Sequence, residues 1–126
     1  MAKKILIIEE LSAHRRLLRG FLEPLGFSVD EVNDGEEGYA YCMKRIPDVI
    51  FLDWDMNTLS GIGFLHLYKD TLGQTKKLPP IIFCIKEDLA KSQQQEFCLD
   101  VVSYLMKPFE ESAVHEKLKS IGFLEP

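Results

Sequence analysis

Short apolar runs alternate with amphipathic stretches along this chain, and the alternation predicts the order of its secondary structure. Five runs are typical of strands, because each is short, rich in aliphatic and aromatic residues and bounded by polar or turn-forming residues: 5–8, 27–32, 49–52, 81–84 and 101–106. Strands that are apolar along most of their length are buried on both faces, which is typical of parallel sheets. The pattern predicts an α/β fold, a doubly wound five-stranded parallel sheet with helices on both faces.

The stretches between the strands have the 3.6-residue apolar period of helices. Ser12 and Asp34 are predicted N-caps, and Gly26 and Pro47 are predicted helix ends. A fourth helix is expected at about residues 89–97, although its middle is polar throughout. The other helices have stripes expected to face the sheet: Leu18, Phe21, Leu22 and Leu25; Tyr39, Cys42, Met43 and Ile46; Phe64, Leu65 and Tyr68; Val114, Leu118 and Ile121.

Length and composition narrow the class of protein. The 126 residues are expected to form one domain, 1–126, and the apolar run near the N-terminus is too short for a signal peptide or membrane span, so a cytoplasmic protein is expected. The cysteines, Cys42, Cys84 and Cys98, lack metal-ligand spacing and are expected to be free buried thiols. A net charge of −5 argues against nucleic-acid binding. The basic stretches 14–16 and 76–77 are interpreted as solvated faces.

Groups suited to phosphoryl chemistry follow three of the predicted strands. Glu9 and Glu10 follow the first strand, Asp53 follows the third, and Lys107 follows the fifth. Ligands of open parallel sheets bind outside the carboxyl ends of the strands. We therefore expect these three carboxylates and one ammonium to face one crevice that can hold a divalent cation and a phosphoryl group.

The same fragments resemble the receiver domain of bacterial two-component response regulators. Residues 5–10 (ILIIEE), 48–61 (DVIFLDWDMNTLSG) and 104–109 (YLMKPF) carry the resemblance, which spans almost the whole chain. The sequence LDW at 52–54 and PIIFC at 80–84 are more similar to the single-domain CheY-like chemotaxis type than to receivers fused to an output domain. The resemblance implies a flavodoxin-like, CheY-like fold and no output domain.

The resemblance also implies a role for each site residue. Asp53 matches the phosphoacceptor, a carboxylate that takes a phosphoryl group from a histidine kinase, a histidine phosphotransferase or a small phosphodonor. Glu9 and Glu10 match the acidic pair that holds Mg²⁺, with Asp53 and the backbone carbonyl of Asp55 as further ligands. Lys107 matches the lysine that pairs with the phosphoryl oxygens.

Two further matches concern Pro108 and Tyr104. In this family the peptide bond before the proline at Pro108 is cis. Tyr104 matches the aromatic residue that moves between exposed and buried positions on activation. The resemblance then implies that a downstream protein binds the face of the predicted fourth helix, fifth strand and fifth helix, with chemotaxis as the process to expect.

Several positions depart from the family pattern. Glu10 stands where Asp is usual, and its extra methylene moves the carboxylate by about 1.5 Å, which weakens the expected metal site. Ile85 stands where a hydroxyl usually bonds the phosphoryl oxygen, and the ammonium of Lys86 is a candidate substitute. Asn57 stands where Pro is usual, and Asp100 stands where Gly is usual.

Three interpretations follow from these matches and departures. The first is a phosphoacceptor that signals through protein contacts and is not itself an enzyme. The second is a pseudo-receiver, an interaction module with little or no phosphorylation, which Glu10 and Ile85 favour. The third is a haloacid-dehalogenase-type phosphatase, suggested by Asp53-Trp54-Asp55. That family places its motif on the first strand of a longer chain, whereas here the motif follows the third strand.

Overall fold

The computed structural model describes residues 2–73, 76–86 and 101–125. Its strands are β1 (Lys4–Ile8), β2 (Ser28–Val32), β3 (Val49–Asp53), β4 (Ile81–Lys86) and β5 (Val101–Lys107). Its helices are α1 (Ser12–Leu22), α2 (Gly35–Lys44), α3 (Gly61–Leu72) and α4 (Glu111–Ser120), with a 3-10 turn at Glu23–Leu25. The helix predicted at about 89–97 lies outside the described residues, together with Cys98 and Asp100. The helix labelled α4 is therefore the fifth one predicted from the sequence.

All the described strands pair in parallel, in the order β2-β1-β3-β4-β5. This is the strand order of flavodoxin-like folds. One face of the sheet packs against α1 and α4, through a core that includes Leu18, Leu22, Val114 and Leu118. The other face packs against α2 and α3. The predicted doubly wound parallel sheet is confirmed.

Two of the described helices begin with side-chain caps. Asp34 accepts a hydrogen bond from the Glu37 backbone N–H at 2.8 Å, and Ser60 accepts one from Gly63 at 3.0 Å. The prediction of Ser12 as an N-cap is wrong. Ser12 is the first helical residue, and the position before it is Leu11, which has no side-chain cap. The backbone N–H of Leu11 instead bonds to the carboxylate of Glu9.

The predicted inward face of α2 is partly wrong. Met43 and Ile46 are 44% and 51% exposed, whereas Gly35, Gly38 and Cys42 are the buried residues of this helix. A Cβ on Gly38 would lie 2.5 Å from the side chain of Ile8, so glycine lets the helix approach the sheet at this position. The side of the helix that carries Gly38 and Cys42 faces the sheet, and this orientation turns Met43 away from it. Ile46 lies beyond the end of the helix, next to Pro47.

The sequence predicted free buried thiols and no membrane span. Cys42 and Cys84 are free and buried, which confirms the prediction for these two. Burial raises the pKa of the Cys42 thiol to about 11, so this group stays protonated at neutral pH. Among the helices of the described ranges, none is long and apolar enough to cross a membrane.

Candidate functional site

The topology opens a crevice at the carboxyl ends of β1 and β3. These strands are neighbours, and the helices that follow them, α1 and α3, pack on opposite faces of the sheet. Asp53 is the last residue of β3, and Glu9 directly follows β1. Their exposed fractions are 2% and 1%, so both carboxylates are buried at this edge. A charged group buried this deeply requires a partner of opposite charge.

Lys107 supplies that partner from the end of β5. Its Nζ lies 2.8 Å from Oδ1 of Asp53 and 3.3 Å from Oε2 of Glu9. Because β4 separates β3 from β5, the long lysine side chain must reach across one strand to make these contacts. The structure therefore brings together two carboxylates and one ammonium that lie far apart in the sequence.

Burial and neighbouring charges shift the pKa values of this group. Burial and the nearby charge of Asp53 together raise the pKa of Glu9 above its ordinary value, although Lys107 opposes the shift. Burial lowers the pKa of Lys107, but its hydrogen bond to Asp53 and the charge of Glu9 outweigh that effect, and the pKa is raised. Lys107 therefore stays charged at neutral pH and neutralises part of the carboxylate charge.

The first turn of α1 supports the loop that holds Glu9. Nδ1 of His14 lies 3.3 Å from Oε1 of Glu9, and Arg15 donates to the carbonyls of Glu9 and Glu10 at 2.8 and 3.1 Å. The Arg15 side chain is only 12% exposed. The prediction of a solvated basic stretch is therefore wrong for His14 and Arg15. Side chains of a helix lean towards its N-terminus, which returns these two to the loop before α1.

Glu10 takes a different direction from Glu9. Its Oε1 accepts a hydrogen bond from the side-chain amide of Asn57 at 2.6 Å, and its Oε2 accepts one from the Asn57 backbone N–H at 3.1 Å. Sequence reasoning missed this pair, although both residues had been noted separately as departures from the family pattern. The sequence separation of 47 residues between Glu10 and Asn57 gives no reason to pair them, so the one sequence signal for the contact was that both depart from the family pattern.

The three carboxylates predicted to share the crevice, those of Glu9, Glu10 and Asp53, do not form one metal-binding group in this conformation. Asp55 is exposed, and its backbone N–H lies 3.4 Å from Oδ1 of Asp53. Within 2–73, 76–86 and 101–125, no group of three or more His, Cys, Asp or Glu side chains is placed to hold a metal ion. The two carboxylates that do meet are those of Glu9 and Asp53.

The carboxylates of the crevice fit a divalent cation only in part. Carboxylate oxygens are the ligands that Mg²⁺ prefers, and Oε2 of Glu9 is buried without a hydrogen-bond partner, although Lys107 lies nearby. Glu9 and Asp53 therefore suit a hard cation. Glu10 suits it only after its oxygens leave Asn57.

A family model described as the response regulator receiver domain matches residues 5–119. The chain belongs to the receiver domain family. This membership confirms the resemblance seen in the sequence. It also argues against the phosphatase interpretation, because Asp53 ends the third strand and not the first.

Individual relatives show how far the likeness extends. The chain is 30% identical to chemotaxis protein CheY-3 of Vibrio cholerae over 94% of its own length and 90% of that protein. It is 28% identical to the phosphate regulon transcriptional regulatory protein PhoB of Rhizobium meliloti, covering 96% of this chain but 52% of PhoB. The receiver domain therefore spans about half the length of some curated relatives that it matches.

A solved receiver domain shares the fold. The receiver domain of sensor histidine kinase PA1611 from Pseudomonas aeruginosa has a TM-score of 0.79 and 24% identity, covering 97% of this chain and 99% of that one. It was solved with a magnesium ion coordinated in the active-site cleft. At this level of identity the comparison establishes the fold of our receiver domain, and the metal belongs to the relative.

The remaining predicted residues lie near the same edge of the receiver domain. Ile85 is buried and has no hydroxyl, and Lys86, the last residue of β4, is exposed opposite Lys107. Tyr104 on β5 is half-buried and packs against the core on the α2 and α3 face. The peptide bond between Lys107 and Pro108 is cis. Strand alternation places Tyr104 on the same face as Ile85.

Proposed function

We propose that this receiver domain is a cytoplasmic phosphoacceptor that takes a phosphoryl group on Asp53. The observation that carries the proposal is the ion pair between Asp53 and Lys107, buried at the carboxyl end of the central strand. A carboxylate beside a fixed cation can act as a nucleophile while the cation stabilises the negative charge of the incoming phosphoryl group.

Each residue of the site has a separate role in the phosphoryl transfer. An Asp53 oxygen attacks the phosphorus atom of a phosphohistidine or a small acyl phosphate, forming an O–P bond as the bond to the donor breaks and the donor leaves with its electron pair. Lys107, already 2.8 Å from Oδ1, pairs with the phosphoryl oxygens. Mg²⁺, when bound, would supply further positive charge next to these oxygens. Glu9, Asp53 and the backbone carbonyl of Asp55 would hold the metal, with Glu10 after its release from Asn57.

The proposed output is a protein contact on the side of β5 and α4. A groove of about 310 Å³ lies there, and its lining includes Tyr104, Met106, Pro108 and Lys117. Met106 is 50% exposed, so the groove has an apolar wall. The groove begins directly at Lys107, which connects it to the phosphorylation site. Similarity to CheY-3 of Vibrio cholerae supports a chemotaxis target in particular.

Intact mass spectrometry tests the proposal. Acetyl phosphate with Mg²⁺ should add one phosphoryl mass to the wild type and none to Asp53→Asn, because an amide is a much weaker nucleophile. Lys107→Met should retain a nucleophile but accumulate far less product. A wild-type protein that gains no mass would refute the proposal.

A second candidate function is the pseudo-receiver, a domain that binds partners without phosphorylation. Two observations favour it: Ile85 is buried without a hydroxyl, and Asn57 occupies both oxygens of Glu10. The same mass measurement distinguishes the two functions, because only the phosphoacceptor gains a phosphoryl group.

A further inference from the structure

Two departures from the family pattern contact each other in the structure. Glu10 replaces the usual Asp, Asn57 replaces the usual Pro, and together they form a two-point hydrogen-bonded pair. A proline at position 57 has no backbone N–H and no amide, so it offers neither donor. An Asp at position 10 is shorter by about 1.5 Å, which takes its oxygens out of range of both donors. The pair therefore depends on both departures.

The geometry points to Asn57 as a residue that restrains the metal site, by holding the Glu10 carboxylate away from Glu9 and Asp53. We call this contact the Glu10–Asn57 clamp. The inference rests on the site of the proposed function and adds a residue that controls its metal affinity.

The clamp fixes the Glu10 carboxylate in a position in which it does not join Glu9 and Asp53 in a metal-binding group. Mg²⁺ requires ligands close to ideal octahedral geometry at about 2.0–2.1 Å, so Glu10 must move to become a ligand. While the clamp holds, the described residues contain no group of three metal-binding side chains. Binding through Glu10 therefore has to break the 2.6 Å bond from the Asn57 amide. Removing this amide should remove the cost.

The size of the effect follows from the surroundings of the clamp. Asn57 is exposed and Glu10 is half-buried, so water replaces part of each broken hydrogen bond. The side-chain bond is then comparable to a typical protein hydrogen bond, and its loss should tighten Mg²⁺ binding about three- to tenfold. The backbone N–H of Asn57 remains after substitution by alanine, which keeps the effect from being larger.

Calorimetric titration with Mg²⁺ alone tests the clamp. Asn57→Ala should lower the dissociation constant about three- to tenfold, because it removes the amide donor. Asn33→Ala is the matched control, since Asn33 is also an exposed asparagine directly after a strand but its backbone N–H hydrogen-bonds to Glu37 instead of Glu10. It should leave the constant unchanged. An Asn57→Ala protein that binds Mg²⁺ as weakly as the wild type, or more weakly, overturns the inference.

A double-mutant cycle separates the clamp from a general effect of either substitution. Glu10→Asp should also tighten binding, because the shorter side chain is released from Asn57 and restores the usual ligand length. In that background Asn57→Ala should change the dissociation constant less than twofold, because no clamp remains. Fully additive effects of the two substitutions would contradict the clamp.

Nuclear magnetic resonance gives a readout that does not depend on affinity. The side-chain amide resonances of Asn57 should move during the Mg²⁺ titration with the midpoint of metal binding, as this amide loses its carboxylate acceptor. Those of Asn33 should stay in place. Saturation with metal while the Asn57 resonances remain fixed would also overturn the inference. Acetyl phosphate labelling of Asp53, run in parallel at high Mg²⁺, reports the proposed function separately.

Discussion

Replacement of Lys107 by methionine should reveal how strongly the buried carboxylates of the site depend on the Lys107 ammonium. Lys107 contacts two carboxylates, those of Asp53 and Glu9, whose side chains are 3% and 1% exposed. Methionine has a similar length and removes the charge. The change removes the ammonium that compensates two buried carboxylates, and breaking a buried ion pair in this way costs about 3–5 kcal/mol.

Protonation of Glu9 limits this cost. Burial and the charge of Asp53 already raise its pKa, and loss of Lys107 removes the main opposing charge. A carboxyl group whose folded-state pKa is raised binds protons more tightly in the native state than in the unfolded state. Its ionisation therefore destabilises the fold as the pH rises, and the penalty disappears as the pH falls through the folded-state value towards the unfolded one.

The unfolded-state pKa of glutamic acid sets the largest free-energy penalty that Glu9 can cause. Keeping a glutamic acid protonated costs about 1.36 kcal/mol for each pH unit above its unfolded pKa, which is close to 4.3. The penalty on Glu9 therefore cannot exceed about 3.7 kcal/mol at pH 7 or about 1 kcal/mol at pH 5. We expect Lys107→Met to lower the free energy of unfolding by about 3–4 kcal/mol at pH 7 and by clearly less at pH 5, where protonation limits the part due to Glu9 to about 1 kcal/mol.

Urea unfolding without divalent cations measures this difference. Trp54 follows Asp53 directly and packs against Phe83, so its fluorescence reports on the edge of the sheet that holds the site. Lys119→Met is the matched control, because Lys119 is 42% exposed and its contact with Glu116 is a surface pair at 3.8 Å. It should cost less than about 0.5 kcal/mol. A Lys107→Met penalty below about 1 kcal/mol at pH 7, or one that is the same at pH 5, would refute the reasoning.

Two further predictions concern the switch and the packing beneath the site. Beryllofluoride should shift amide resonances around Tyr104 more in Ile85→Thr than in the wild type, because the new hydroxyl can bond to the phosphoryl mimic; equal shifts in the two proteins would argue against this. A Cβ on Gly61 would lie 2.5 Å from the carbonyl oxygen of Asp53, so Gly61→Ala should lower the free energy of unfolding in urea by about 1–3 kcal/mol. Gly20 lies in an open part of α1, so Gly20→Ala should raise the free energy of unfolding by about 0.5–1 kcal/mol. Gly61→Ala with wild-type stability would show that this close approach is not a constraint.

The apolar pattern of the sequence determined the sheet and the position of the crevice. Strands such as Val49–Asp53 are buried at every residue, and their length and spacing leave few alternatives to a parallel sheet. Once the sheet is parallel, polar residues that follow its strands must meet at one edge. This is why Asp53, Glu9 and Lys107 were predicted to share a crevice from residues far apart in the chain.

Tertiary structure decided the direction in which each polar side chain of the site points. Glu9 and Glu10 are adjacent and chemically identical, yet one is buried against Lys107 and the other lies against Asn57. Periodicity carries no information about such choices, because they depend on which donors the folded chain brings within about 3 Å. The inward turn of His14 and Arg15 and the outward turn of Met43 have the same origin. The sequence therefore determined where the charged groups meet, and only the packed structure decided which of them contact each other.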